Sequence, residues 1–250
     1  MTVATSPRIS RPSERVVPKR ERPAQTPAIQ PDAAHDVSQL TETPCEQQRY
    51  TTFKRIMDVP LAAVLLVIAA PIMAVIALMI RLNSPGPVLF RQKRLGRHGV
   101  AFPCLKFRTM RIDAEKILMS DPDLFEHYQR NGYKLPDGED PRLIPFGGFL
   151  RKTSLDELPQ LLNVLRGEMS LVGPRPIVPA ELDEYGDDAE AFLSAFPGIT
   201  GYWQVNGRSH LGYPQRAAVE LEYIEMWTPS LDLLLLLKTV PVVLARRGAH

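Results

Sequence analysis

The segment Arg151–Gln160, with the sequence RKTSLDELPQ, places two adjacent carboxylates close to basic residues. Asp156 and Glu157 fit the first turn of a helix, where unpaired backbone N–H groups and partial positive charge favour anions and phosphates. An aspartate held there beside a metal-binding glutamate is equipped to attack a phosphorus atom. Ser154 and Glu157 also fit a capping box, in which both side chains merely satisfy backbone donors. The segment alone leaves these two interpretations open.

Three other polar clusters, each with a basic side chain, have no evident part in folding. Any one of them is more often a solvated face than a binding site. Together with a carboxylate pair they indicate an anionic substrate, because arginine matches phosphate oxygens two at a time. A divalent cation such as Mg²⁺ would let an anionic carboxylate approach an anionic diphosphate. The three clusters are Lys106–Arg111 (KFRTMR), Gly173–Pro176 (GPRP) and Gln204–Arg208 (QVNGR).

The uncharged apolar run Val59–Ile80 is long enough to cross a bilayer core of about 30 Å. Pro71, at its middle, deletes a backbone hydrogen bond and kinks a helix. Basic residues flank both ends, so the positive-inside rule chooses no orientation. We therefore predict a re-entrant helix broken at Pro71, with both ends on the same side of the membrane. The flanking basic residues are Lys54, Arg55, Arg81, Arg91, Lys93 and Arg94.

The rest of the chain predicts an α+β fold, mostly helical with a small β-hairpin. The hairpin pairs Val88–Arg91 with Ala101–Phe107 across a turn at Gly96–Gly99, since both runs have strand-like content. The apolar stretch Leu231–Leu244 is too short and too polar to span a membrane. It fits either an interfacial helix at the membrane surface or a buried core helix. The other predicted helices are Ile112–Gln129 with an interruption near Pro122, a short helix after Gly147–Gly148, Leu155–Leu165 and Glu220–Trp227.

Composition indicates the domain organisation. Residues 1–50 mix Pro, Ser, Thr, Gln and charge with few aromatics, which predicts a disordered basic tail. Residues 51–82 are predicted to form the re-entrant membrane helix, and residues 83–250 a further domain that ends in the interfacial helix. A net charge of +2 gives no sign of nucleic acid as a partner. The two cysteines, Cys45 and Cys104, lack the spacing of a disulfide framework or a zinc site.

The ordered set of motifs resembles a known family. Lys54-Arg55 with Asp58, the proline-broken membrane helix, SPGP, KFRTM, SLDELPQ, VGPRP and WQVNGR occur here in the order seen in bacterial monotopic phosphoglycosyl transferases. These enzymes are polyprenyl-phosphate sugar-1-phosphate transferases, and the resemblance runs from Phe53 to the C-terminus. The chain is most similar to the subgroup that starts exopolysaccharide synthesis by loading galactose-1-phosphate onto undecaprenyl phosphate.

The resemblance implies a mechanism. Asp156 would be the nucleophile that attacks the β-phosphorus of a UDP-sugar and expels UMP, which divides one difficult transfer into two easier steps. Glu157 would hold Mg²⁺. Trp203 would either stack on uracil or pack in the core. The residues implied in substrate binding are Lys106, Arg108, Arg151, Arg175 and Arg208.

The resemblance also implies that residues 83–250 form a cytoplasmic catalytic domain, and it implies a location and a set of partners. The protein would lie in the bacterial inner (cytoplasmic) membrane, with its active site on the cytoplasmic face, where UDP-sugar, undecaprenyl phosphate and the lipid bilayer meet. A homo-oligomer and contacts with polysaccharide-assembly proteins stay open. Three alternatives remain: the same reaction with glucose-1-phosphate, a metal-dependent phosphohydrolase that uses water, and a non-catalytic membrane scaffold.

Overall fold

The apolar run predicted to enter the membrane lies in helix α1, which spans Pro44–Asn83. The computed structural model describes residues 44–131, 135–136, 138–206 and 212–244. Within these residues one helix, Arg49–Asn83, is long and apolar enough to cross a membrane, and only 11% of its most apolar window is buried. The helix continues through Pro60 and Pro71, so the break at Pro71 stays a prediction. Residues 1–43 of the predicted tail lie outside the described part of the chain, and residues 44–50 begin α1.

The predicted β-hairpin is confirmed. Strand β1, Leu89–Leu95, pairs antiparallel with β2, Ala101–Phe107, and a 3-10 turn at Arg97–Gly99 joins them. Strand β1 runs past its predicted end at Arg91 as far as Leu95. Its side chains Arg91 and Lys93 are exposed, whereas Gln92 and Arg94 are partly buried. The outer end of the hairpin register pairs Leu89 with Phe107, next to the predicted basic cluster.

The predicted helix Ile112–Gln129 is two helices, α2 at Ala114–Ser120 and α3 at Pro122–Arg130. Asp121 separates them, since its side chain accepts a hydrogen bond from the Leu124 N–H at 3.0 Å and Pro122 begins the new helix. The interruption predicted near Pro122 is therefore present.

Helix α4, Gly147–Lys152, begins at the first glycine of the pair that was expected to precede it. The predicted helix Leu155–Leu165 divides at Pro159 into a 3-10 turn, Leu155–Glu157, and helix α5, Gln160–Arg166. Asn163 of α5, fully buried, binds strand β2: its side-chain Nδ2 donates to the Pro103 carbonyl at 2.9 Å, and its Oδ1 accepts the Leu105 N–H at 3.0 Å. The carboxylate segment is thereby fixed against the hairpin.

Two three-residue strands, absent from the sequence prediction, form a second sheet. Strand β3, Ser170–Val172, lies parallel to β4, Gly198–Thr200. The backbones of Gly173, which follows β3, and Gly198, the first residue of β4, meet so closely that glycine is required. A Cβ on Gly173 would lie 2.2 Å from the Phe196 carbonyl oxygen, and one on Gly198 would lie 2.1 Å from the Gly173 nitrogen. This close approach sets the position of the GPRP turn.

The C-terminal part is helical. Helix α9 contains the predicted Leu231–Leu244 stretch and has two different faces: Asp232 and Leu235 are buried, whereas Leu233, Leu237 and Val240 are more than half exposed. The structure thus gives this helix a core face and an exposed apolar face. The remaining elements are a 3-10 segment at Pro179–Asp188, α6 at Ala189–Ser194, α7 at Tyr202–Asn206, α8 at Gln215–Glu225 and α9 at Pro229–Leu244.

Helix α1 packs against later elements of the chain on both sides of Pro71. Before the proline, Ala62 is buried in a core cluster with Val164. After the proline, Ile76 and Ile80 are buried in a second cluster with Phe107, Ile144 and Leu150. Much of the surface between these contacts stays exposed and apolar.

A buried ion pair ties the start of α1 to α9. The Lys54 Nζ lies 2.5 Å from the Asp232 Oδ2, and both side chains are fully buried. Lys54 also donates to the Val172 carbonyl at 2.7 Å, and Asp232 accepts from the Tyr223 hydroxyl at 2.7 Å and the Trp227 indole at 3.0 Å. Each charge therefore has the hydrogen-bond partners that burial demands.

Candidate active site

The carboxylate pair lies in the 3-10 turn Leu155–Glu157, directly after Ser154. Ser154 adopts a left-handed backbone conformation (φ 57°) and its side chain makes no capping hydrogen bond. The capping-box interpretation is therefore wrong for this turn. The Glu157 carboxylate instead accepts a hydrogen bond from the Lys106 Nζ at 2.7 Å.

Lys106 belongs to strand β2, and its ion pair with Glu157 joins the hairpin to the carboxylate turn. Both side chains are about one-quarter exposed. A pair open to solvent in this way contributes little stability on its own. Its oxygen and ammonium groups remain accessible to an anionic ligand or to a cation.

Asp156 lies deeper than its neighbour, with 8% of its surface exposed. Burial, followed by the negative charge of Glu157, raises the pKa of Asp156 to about 6. The positive charges of Lys106 and Arg151 act in the opposite direction. Asp156 is therefore ionised near neutral pH, yet more basic than an ordinary aspartate, and both properties suit a nucleophile.

Arg151, in the last turn of α4, approaches the same carboxyl group from another side. Its Nε donates to the Thr109 hydroxyl at 3.1 Å. Helix α4 closely approaches the segment that follows strand β2, since a Cβ on Gly147 would lie 2.4 Å from the Thr109 carbonyl oxygen. The KFRTM motif and the RKTSLDE motif thus meet at Asp156.

Beside this turn lies a cleft of about 270 Å³ with basic walls. Lys106, Glu157 and Arg175 line it, so the structure brings together three of the residues implied by the resemblance. Asp156 is not among the lining residues in the described part of the chain, whereas its neighbour Glu157 is. The other lining residues are Arg94, Cys104, Gln160, Pro176, Gly198, Ile199 and Gln204.

The backbone of Arg175 is held by Glu220 of α8. The Arg175 N–H donates to the Glu220 Oε1 at 3.1 Å, and this buried carboxylate also receives hydrogen bonds from Arg216 at 3.4 Å and from the Tyr185 hydroxyl. The guanidinium groups of Arg175 and Arg216 lie 5.7 Å and 4.8 Å from the ring centre of Trp203. Trp203 thus packs against two guanidinium groups in this structure.

Three implied residues lie elsewhere. Arg108, with 5% exposure, donates to the Pro85 carbonyl at 2.5 Å and to the Ser84 carbonyl at 2.9 Å, so it braces the SPGP turn. Arg208 lies outside the described residues. Pro71 lies within α1. The substrate-binding role of Arg108 and Arg208 stays a prediction.

The acidic pair fits a magnesium site. Among the described residues no three acidic, histidine or cysteine side chains come together. Magnesium is commonly held through one or two carboxylates, waters and substrate phosphates. Glu157, with Asp156 next to it, would supply that number of protein ligands.

Among the charged and amide side chains that line the cleft, Arg94 and Gln160 were not predicted from the sequence. Arg94 counted as one of the basic charges flanking the membrane run, because strand β1 was predicted to end before it. Its guanidinium donates to the Pro176 carbonyl at 3.1 Å and to the Glu181 carboxylate at 3.3 Å. Gln160 ends the SLDELPQ motif. Its position four residues after Asp156 was the one sequence feature that could have indicated a place in the site.

Comparison with known proteins identifies the family of the chain. The chain matches the family model for bacterial sugar transferases over residues 49–246. The undecaprenyl-phosphate galactose phosphotransferase of Salmonella typhimurium is 44% identical over 201 residues, which cover 79% of this chain and 41% of that protein. The exopolysaccharide production protein ExoY of Sinorhizobium fredii is 41% identical over 201 residues, which cover 79% of this chain and 88% of that protein.

A third relative carries a different sugar in its name. The UDP-glucose:undecaprenyl-phosphate glucose-1-phosphate transferase of Caulobacter vibrioides is 42% identical over 205 residues, covering 79% of this chain and 72% of that protein. The resemblance to phosphoglycosyl transferases found in the motifs is confirmed, and the chain belongs to the bacterial sugar transferase family.

Proposed function

We propose that this protein transfers a hexose-1-phosphate from a UDP-sugar to undecaprenyl phosphate, releases UMP, and so initiates exopolysaccharide synthesis. One observation carries the proposal: Asp156 is a buried, ionisable carboxylate in the turn beside a cleft with basic walls. The names of the Salmonella and Caulobacter relatives, both undecaprenyl-phosphate transferases, support it.

The first step is nucleophilic. A carboxylate oxygen of Asp156 forms a bond to the β-phosphorus of the UDP-sugar, and the bond from that phosphorus to the bridging oxygen breaks. UMP leaves with the electron pair. Lys106 and Arg175 balance the diphosphate charge in the cleft, while Arg151 stabilises the carboxylate that attacks.

The second step regenerates the enzyme. An oxygen of undecaprenyl phosphate attacks the same phosphorus, the Asp156 carboxylate leaves, and the product is a diphosphate-linked sugar. Glu157 would hold Mg²⁺, which when bound neutralises negative charge on the diphosphate. Lys106 keeps the Glu157 carboxylate oriented toward the cleft through their ion pair.

Contacts of α1 support the re-entrant arrangement. Ala62, before Pro71, and Ile80, after it, are both fully buried against residues that follow the helix. A helix that crossed the bilayer would place one of these two residues on the far side of the membrane from its contacts. Both ends on the cytoplasmic face of the inner membrane would bring Asp156 close to the lipid headgroups, where the phosphate of undecaprenyl phosphate lies.

Galactose is the favoured sugar, because the motifs are most similar to the galactose subgroup and the Salmonella relative is named for galactose. Glucose is the second candidate, because the relatives from Caulobacter vibrioides and Escherichia coli are named for glucose.

The test is a panel of UDP-sugars incubated with the purified protein and Mg²⁺, with and without undecaprenyl phosphate. The proposal predicts lipid-linked product and UMP release that depend on the lipid, with the highest rate for UDP-galactose. Sustained release of sugar phosphate without lipid would indicate the phosphohydrolase instead. Unchanged product formation by an Asp156→Asn variant would contradict the proposed nucleophile.

A further inference from the structure

Gln160 is the first residue of helix α5 and lines the basic cleft. Only 2% of its surface is exposed. No described residue forms a hydrogen bond with its side-chain amide, although the amide offers two donors and an accepting oxygen. The amide of a nearly buried side chain thus faces the cleft without a protein partner.

The small exposed part of Gln160 lies at the wall of the cleft. Polar groups inside a protein almost always have a hydrogen-bond partner, which can be protein, water or a ligand. The helix cannot readily turn Gln160 away, because the next residues of α5, Leu161 and Val164, are fixed in the core. A ligand in the cleft would supply the amide with a hydrogen-bond partner.

The chemistry of the cleft indicates which part of a ligand the amide meets. Lys106, Arg175 and Arg94 give the other walls their positive charge, and such groups match the phosphates. A neutral amide both donates and accepts, as a sugar hydroxyl does. Gln160 also follows the proposed nucleophile Asp156 by four residues in sequence, and Glu157 lines the same cleft.

We propose that the side-chain amide of Gln160 hydrogen-bonds a hydroxyl of the hexose and is a specificity-determining residue. The inference rests on the proposed function, since it assumes a UDP-sugar in this cleft. It predicts that Gln160 senses the sugar and not the uridine or the phosphates.

Binding without turnover tests the first part. In an Asp156→Asn background, Gln160→Met keeps the side-chain size and removes the hydrogen bonds. The variant should bind UDP-galactose roughly 10-fold more weakly or worse, while its affinity for UMP stays unchanged. Gln129→Ala, an exposed glutamine on α3, is the control and should alter neither affinity. Equal weakening for UMP and UDP-galactose would overturn the proposal.

Deoxy analogues of the UDP-sugar test the second part. With otherwise wild-type protein, removal of the hydroxyl that Gln160 binds should lower kcat/KM by roughly 10- to 100-fold. In the Gln160→Met variant the same analogue should show almost no loss relative to the full sugar. Retained melting temperature shows that the variant is folded, and Gln160→Asn provides a second, shorter amide if it is not.

The outcomes separate the two proposals. Suppose that the wild-type protein forms lipid-linked product, but that each deoxy analogue lowers kcat/KM by the same factor in wild type and in the Gln160→Met variant. The proposed role of Gln160 is then wrong, while the proposed transferase function is retained. If the wild-type protein forms no lipid-linked product from any UDP-sugar, the proposed function fails, and the role of Gln160 fails with it.

Discussion

The carboxyl group of Asp156 experiences opposing influences at the scale of single residues. Burial and the Glu157 charge favour its protonated form, whereas Lys106 and Arg151 favour the ionised form. The net result is a pKa of about 6. Because this value lies just below neutral pH, small changes in the surrounding charges should alter activity measurably.

The first prediction concerns the pH dependence of turnover. Asp156 must be ionised to attack phosphorus, so kcat/KM should fall tenfold per pH unit below about pH 6. Loss of the Lys106 charge in Lys106→Met should move this fall to higher pH, and loss of the Glu157 charge in Glu157→Gln should move it to lower pH. Residual activity of each variant across pH 4.5 to 8 provides the measurement. Shifts in the same direction would contradict the assignment.

The second prediction concerns stability. The folded state binds a proton on Asp156 more tightly than the unfolded state does, so this residue destabilises the fold increasingly as pH rises from about 4 to 6. Asp156→Asn should therefore be more stable than wild type at pH 7 to 8, by up to about 3 kcal/mol. The gain should vanish near pH 4. Melting curves at several pH values measure it, with exposed Asp123→Asn as the control; a gain independent of pH would contradict the account.

Residue patterns predicted part of the site. SLDELPQ, KFRTM and GPRP located Glu157, Lys106 and Arg175, which meet in one cleft. Arg94 escaped prediction because an arginine on a strand looks the same whether it faces solvent or a cleft. Arg108 shows the reverse: a basic residue in the right motif binds two backbone carbonyls of a turn. Only the fold distinguishes these cases.

At the scale of elements, the cleft depends on the close approach of two backbone segments at β3 and β4. These strands have three residues each, too few for a period-two pattern to be visible in the sequence. The hairpin, in contrast, has seven-residue strands and a turn rich in glycine, and it was predicted. Pro159 and the 3-10 turn before it also broke a helix whose apolar spacing looked continuous.

The third prediction tests this close approach of the backbones. A methyl group at Gly173 would meet the Phe196 carbonyl oxygen at 2.2 Å, so Gly173→Ala should cost about 1–3 kcal/mol of stability and displace the neighbouring Arg175. Both the melting temperature and the affinity for the UDP-sugar should fall. Gly138→Ala, where a Cβ meets nothing within 4 Å, is the matched control. Equal effects at the two glycines would argue against a required close approach.

The fourth prediction tests the ion pair between α1 and α9. Lys54→Met leaves the Asp232 carboxylate buried without its cation, which should cost about 3–5 kcal/mol. The double variant Lys54→Met/Asp232→Leu should recover much of this loss, because neither charge then remains unpaired. Arg130→Ala removes an exposed pair with Glu126 and should change the melting temperature very little. A double variant no more stable than Lys54→Met would contradict this explanation.

The whole molecule combines a basic cleft with exposed apolar surface on α1 and α9. Residues such as Val67, Ile68 and Leu237 are 64–74% exposed, which a membrane would cover. Sequence hydropathy predicted the apolar run. Only the fold shows that α1 packs against later elements both before and after Pro71.

The fifth prediction concerns topology. In a background with Cys45→Ser and Cys104→Ser, single cysteines replace Arg49 or Asn83, the exposed residues near the ends of the apolar helix. A re-entrant helix predicts that a membrane-impermeant maleimide labels both positions in inverted vesicles and neither in intact spheroplasts. Labelling of the two positions from opposite sides would show a straight span.

The most direct measurement of the central claim is mass spectrometry of protein trapped during turnover with a UDP-sugar and Mg²⁺ in the absence of undecaprenyl phosphate. The account predicts one hexose-phosphate adduct, on the peptide that contains Asp156, and its disappearance when undecaprenyl phosphate is added. No adduct in an active preparation, or an adduct that persists in Asp156→Asn, would contradict it.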